Sequence, residues 1–249
     1  MTAVERATTV PQLLAALTAS DPGRPRLTWY DDSPGPTRGE RIELSARVLA
    51  NWVAKAANLL VDELDVGPGD RVVIALPTHW RAAYWLLAAW SVGAEVAVGH
   101  TDGARVVVTD DPASAPGGPV VVAVTLPALA RSWSGAPLPD GAVDEAATVT
   151  GQPDVFDPDP PDEDSVAVTL PDRSVTYREL LLVAREHAAG YGAEQPRVLV
   201  SSGAVAAVHD LLGPWSVDGS VVLVRDPDPA LADDRRAAER VTSDADEPR

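Results

Sequence analysis

Cysteine is missing from all 249 residues, which excludes disulfides and thiolate metal sites and leaves the redox compartment open. Lysine occurs once, as Lys55, so chemistry that needs an ammonium group has a single place to put it. Arginine supplies the rest of the 20 basic residues, and 37 acidic ones leave a formal net charge of −17. That balance argues against nucleic acid or an anionic membrane as partner, because no local basic patch offsets the repulsion. No apolar run approaches the roughly 20 residues that span a bilayer. Met1 to Ala7 mix both charge signs and hold no apolar signal core, so secretion is not expected and a cytoplasmic location is the default.

Several functional signatures are missing too. No G-x-G-x-x-G opens a helix, which removes the dinucleotide fingerprint, and no G-x-S-x-G elbow marks an esterase. The four histidines, His79, His100, His187 and His209, show no metal-ligand spacing, and surface or capping roles are expected for His187 and His209. No metal ligand, cofactor-binding residue or catalytic residue is therefore assigned, and no cofactor is expected.

What is present is an alternation of apolar segments. Thr8 to Ser20 reads as a short helix capped by Thr9, with Pro11 tolerated in its first turn. Pro25–Asp31 and Arg41–Leu44, joined by a Pro/Gly-rich turn, read as a hairpin. Ser45 then caps a long helix whose Leu49, Trp52, Val53, Ala56, Leu60 and Leu64 make one apolar face. Arg71–Pro77 is a nearly all-apolar strand of the kind buried on both faces of a parallel sheet. The helix His79–Val92 is apolar almost all round, and its Trp80, Trp85 and Trp90 point in different directions, which favours core packing over a cofactor platform. Further strands are expected at 95–98, 105–109, 119–125, 165–170, 197–201 and 219–224, and further helices at 176–189 and 203–213. The pattern predicts an α/β fold with doubly wound, mostly parallel sheet and flanking helices.

"DVFDPDPPDED", residues 154–164, carries six acidic residues and no basic one. It reads as a solvated linker between an N-terminal α/β lobe, 1–153, and a second lobe, 165–225. The tail 226–249 reads as acidic and disordered, although "PALADDRRAAERV" could form a helix, and an acidic docking segment is the sharper alternative. Two strand ends draw notice. Asp110-Asp111 follow a strand, where parallel sheets bind ligands, but a loop N-cap is the plainer reading. "SSGAV", 201–205, could receive an anion at a helix start, but a simple cap is again the plainer one.

The stretch Leu27 to Val98 resembles the opening of adenylate-forming enzymes, the superfamily of acyl-CoA synthetases, peptide-synthetase adenylation domains and luciferases. The resemblance rests on the capped helix, the turn Gly67-Pro68-Gly69-Asp70-Arg71-Val72, the buried strand, the helix 79–92 and Gly93-Ala94. It resumes over 164–225, and it implies the α/β fold of that superfamily's N-terminal domain. It also implies a phosphate loop after the strand 165–170, rich in Ser, Thr and Gly and closing near a lysine. Here that place reads Leu170-Pro171-Asp172-Arg173-Ser174. Pro171 has no N–H, Asp172 adds negative charge, no glycine lets the backbone approach, and Arg173 is a bulky replacement for lysine. Losing two or three charge-assisted hydrogen bonds costs on the order of 3–9 kcal/mol. The family's ribose-binding acid, adenine platform and C-terminal domain with its catalytic lysine find no counterpart after Arg225, and Lys55 lies mid-helix, away from either lysine role. The expectation is a non-catalytic homologue that binds or regulates through a protein or small-molecule partner. The alternatives are an acyl-adenylating subunit completed by a partner chain, and a hydrolase or transferase with no motif behind it.

Overall fold

A computed structural model describes residues 2–97, 101–170, 173–201 and 204–245, of which 204–208 are described by their backbone alone. The chain begins with α1 (Ala3–Arg6), α2 (Val10–Ser20), β1 (Pro25–Asp31) and β2 (Arg41–Ser45). Then come α3 (Ala46–Asn58), running on as a π-helical turn, β3 (Arg71–Ala75), α4 (Trp80–Ser91) and β4 (Glu95–Ala97). Next are β5 (Val106–Thr109), β6 (Val120–Ala123), β7 (Val143–Asp144) and α5 (Glu145–Thr148). After the acidic segment follow β8 (Val166–Thr169), β9 (Ser174–Thr176), α6 (Tyr177–Ala188) and β10 (Arg197–Val200). The described chain closes with α7 (Ala204–Ser216), β11 (Ser220–Arg225), α8 (Ala232–Glu239) and β12 (Ser243–Asp244).

Local chemistry explains the first elements. Thr9 caps α2 by accepting from the Gln12 N–H, and Val10, Leu13, Leu14 and Leu17 form the buried stripe. Ser45 Oγ accepts from the Val48 N–H at 3.3 Å and so starts α3, whose Leu49, Val53 and Ala56 are buried. Gly69 adopts a left-handed φ of 82° in the turn before β3, where Asp70 accepts the Gly67 N–H at 2.8 Å. α4 is buried on every side, as its composition predicts. Among the described residues no helix is long and apolar enough to cross a membrane.

The chain divides into two compact units. One takes in the chain up to Ala50, Pro77–Ala83 and everything from Arg178 on; the other holds Asn51–Leu76 and Tyr84–Tyr177. The first unit contains a five-stranded sheet in the order β12-β10-β11-β1-β2, parallel except for β2 at the edge. Its β1 pairs with β11 through Leu27↔Val221 and Trp29↔Leu223, and the Trp215 indole N–H donates to the Arg26 carbonyl at 2.8 Å. Gly219, just before β11, is there for space: a Cβ would lie 2.4 Å from the Pro196 carbonyl oxygen and 2.7 Å from that of Pro214. Gly219→Ala is expected to lower stability by at least about 1–3 kcal/mol, read as a fall in the urea midpoint.

The second unit contains a seven-stranded sheet ordered β7-β6-β5-β3-β4-β8-β9, parallel except for β9. Strand β4 lies on one side of β3 and β5 on the other, so the order reverses at the β3–β5 pair.

This partition differs from lobes at 1–153 and 165–225. β8 and β9 extend the sheet begun by β3, whereas β10 and β11 join that of β1. Strand pairing over such separations leaves no local mark in composition. The 154–164 segment does not part the sheets, and its start is pinned: Asn58 Nδ2 donates to the Pro153 and Val155 carbonyls at 3.0 Å each. In the tail the disordered reading gives way to its helical alternative, since α8 lies within "PALADDRRAAERV". Residues 226–245 fold as α8 and β12 with a 3₁₀ turn before them, because Arg235 reaches the buried Asp32 with two bonds of 2.7 Å.

Candidate functional site

The place where the resemblance puts a phosphate loop is a β-hairpin. The Leu170 N–H donates to the Arg173 carbonyl at 2.8 Å, Thr169 pairs with Ser174, and their hydroxyls lie 3.2 Å apart. Pro171 and Asp172 lie outside the described residues. The layout is therefore strand, turn, strand, helix, rather than the strand, turn and helix start expected from the sequence. β9 escapes a pattern search because it has three residues, with only Val175 buried between Ser174 and Thr176. The start of α6 thus follows β9 instead of the turn, and its first turn already carries Glu179. Its first residue, Tyr177, donates its hydroxyl to the Ala94 carbonyl at 2.8 Å, and burial pushes that phenol well above its usual range. Arg173 is exposed.

The carboxyl ends of β3 and β5 meet at Ala75↔Thr109, where the strand order reverses and open α/β sheets bind ligands. Ala75 is exposed although it sits mid-sheet, and Thr109 is buried with its Oγ1 accepting from the Asp111 N–H at 3.0 Å. Asp111 occupies the N-cap position of a short 3₁₀ turn, Pro112–Ser114, but its side chain makes no cap bond there. The cap reading for Asp110-Asp111 is met in position only.

The other candidates settle into structural places. Lys55 Nζ donates to the Thr150 and Gln152 carbonyls at 3.1 and 2.5 Å and pairs with Asp154 at 2.8 Å. Trp80, Trp85 and Trp90 are buried, and the Trp90 indole donates to the Ala167 carbonyl at 2.9 Å. His79 is buried, with Nδ1 accepting from the Arg81 N–H at 3.1 Å and its ring edge-on to Trp29 at 4.3 Å. His100 lies outside the described residues, as do Ser202 and Gly203 of the "SSGAV" turn.

One grouping was invisible in the sequence. His187 on α6 meets Asp210 on α7 at 2.7 Å, with Asp210 almost fully buried and the His209 ring 6.5 Å from that of His187. A helix-to-helix contact let through by Gly213, whose added Cβ would lie 3.3 Å from the Ala184 carbonyl, creates it. It is a bridge between helices, and among the described residues no group of three or more His, Asp or Glu could hold a metal.

No protein-family model matches the chain. A protein of Mycobacterium tuberculosis described as a TIGR03089 family protein is 36% identical over 240 residues, which cover 92% of this chain and 95% of that one. The chain belongs to the TIGR03089 family. Solved structures then give the family its fold. An acyl-CoA synthetase from Brucella canis is similar with a TM-score of 0.71 at 20% identity, covering 97% of this chain and 51% of its own. An acetoacetyl-CoA synthetase from Streptomyces lividans gives 0.70 at 19% identity, covering 93% and 41%. Klebsiella oxytoca NpsA, solved with 3-hydroxyanthranilyl-AMSN, gives 0.68 at 15% identity, covering 95% and 47%. The fold of this TIGR03089 member is that of the N-terminal domain of adenylate-forming enzymes, and the chain spans about half the length of those solved chains. The correspondence reaches beyond 27–100 and 164–225, the stretches legible by motif, to nearly the whole chain.

Proposed function

We propose that this chain is a non-adenylating relative of the adenylate-forming enzymes, with a binding or regulatory role toward a protein or small-molecule partner. The observation that carries the reading is the closure of the turn after β8. The Leu170 N–H is engaged by the Arg173 carbonyl, and the next residue in the sequence is a proline, which has no N–H to give. A triphosphate needs several converging donors, and the sequence of this stretch adds a carboxylate instead of a glycine or a lysine. Lys55, the single lysine, is held by carbonyls and Asp154 and offers no substitute.

The test is ATP–pyrophosphate exchange over a panel of carboxylic acids, alongside thermal unfolding with ATP and Mg²⁺. No exchange and no shift are expected. A micromolar site would add about 2.7 kcal/mol at about a hundredfold excess over Kd, and a shift of that size overturns the reading. A second reading, an acyl-adenylating subunit completed by another chain, is favoured by the fold match covering 41–51% of the solved enzymes. Exchange activity that emerges only on mixing with a chain supplying the remainder of such an enzyme would establish it.

A further inference from the structure

α8 is an odd helix to find packed on a sheet, because the two side chains it buries, Arg235 and Glu239, are both charged. It lies against Tyr30, on the same sheet face as Leu199, Val222 and Val224, to which Tyr30 and Val241 add apolar contact. The Glu239 carboxylate is received by three side chains of that sheet. Tyr30 donates its hydroxyl to Oε1, Arg41 adds Nε and Nη2 at 3.2 and 3.0 Å, and Arg197 Nη2 donates to Oε2. These donors outweigh the cost of burial and hold the Glu239 carboxyl below its usual range.

The receiving groups are fixed without help from Glu239. Arg197 is tied by Nη1 to Ser220 Oγ at 3.1 Å and by Nη2 to Thr28 Oγ1 at 2.9 Å. Arg41 is tied to Glu43 at 2.6 Å and to the Tyr30 hydroxyl at 3.0 Å. These anchors sit on β1, β2 and β11, outside α8, so both arginines have sheet-borne partners besides Glu239. A donor set built in advance binds an anion without first having to order itself. Arg41 is two-fifths exposed, which leaves the set reachable from solvent at one side.

We propose that Tyr30, Arg41 and Arg197 form a carboxylate-binding site that the chain fills with its own Glu239, α8 acting as the plug. A carboxylate from outside can take these donors only once Glu239 has left them, so the plug keeps simple carboxylates out of the wild type. Asp32 with Arg235 holds the plug in place at its other end.

The test uses the full chain carrying Glu239→Ala, with acetate and propanoate as probes and chloride at equal ionic strength as control. The variant is expected to melt below the wild type and to regain stability with rising carboxylate but not with chloride. The wild type, already plugged, is expected not to respond. The double variant Glu239→Ala with Arg197→Met is expected to lose the recovery, since a purely structural salt bridge would give no such dependence. Should Glu239→Ala fail to fold, Glu239→Gln keeps the shape of the plug and removes its charge. Equal responses in the wild type and the variants, or no carboxylate response in any variant, would overturn the proposal.

Discussion

Asp218→Ala is expected to cost about 3–5 kcal/mol, the range for breaking a buried ion pair on one side only. Its partner, Arg26, is fully buried, and the guanidinium bonds Asp218 Oδ1 at 2.6 Å. The remaining contacts are carbonyls, those of Asp218 and Gly219 at 2.7 and 3.0 Å and that of Leu17 at 3.4 Å. Burial draws the Arg26 pKa down, and the Asp218 charge works against that pull. Without the carboxylate, a full positive charge sits among dipoles, and Ser20 and Gln195 lose the acceptor they share. Urea unfolding gives the measure: the midpoint falls while the slope is unchanged. Replacing both partners, Arg26→Met with Asp218→Ala, is expected to recover much of the loss, because the desolvated charge goes with its partner. A loss below about 1 kcal/mol in the single variant, the scale of an exposed pair, would mean that water reaches Arg26.

The second large effect belongs to the other unit. Trp90→Ala is expected to lose about 3–5 kcal/mol, the usual cost of emptying a buried aromatic site. Trp90 is 1% exposed, and its indole N–H crosses to the Ala167 carbonyl on β8. Trp90→Phe separates the two contributions, since it keeps an aromatic ring and removes the indole donor to the Ala167 carbonyl, worth about 1 kcal/mol. Thermal unfolding of the two variants against the wild type reads the difference. Equal losses would show that packing adds nothing beyond the hydrogen bond.

Much of the fold was legible because its longer elements carry their own periodicity. α3 shows its apolar stripe from Leu49 to Leu60, α4 its all-round apolarity, and β3 its unbroken valine and isoleucine run. The motif order from Gly67 to Ala94 pointed to the right superfamily fold. β7, β9 and β12 have only two or three residues and no apolar run such as marks β5 or β6, so nothing in the sequence separates them from turns. The tail misleads for a different reason. Its charges match a solvated chain, yet Arg235 and Glu239, one helical turn apart, both face inward to partners some two hundred residues earlier. His187 and Asp210 are likewise ordinary until two helices meet. Long-range pairing is the information a single sequence withholds.

The threading of the two sheets has a consequence for cutting the chain. A nick in the acidic segment 154–164 would leave one piece with β1 to β7 and the other with β8 to β12, so each sheet would be divided between the pieces. Neither fragment owns a finished hydrophobic layer, and each would present open hydrogen-bonding edges to whatever it met first. The natural mate for such an edge is the other fragment. The chain is thus better suited to splitting and reassembly as a reporter than to trimming down to a minimal half.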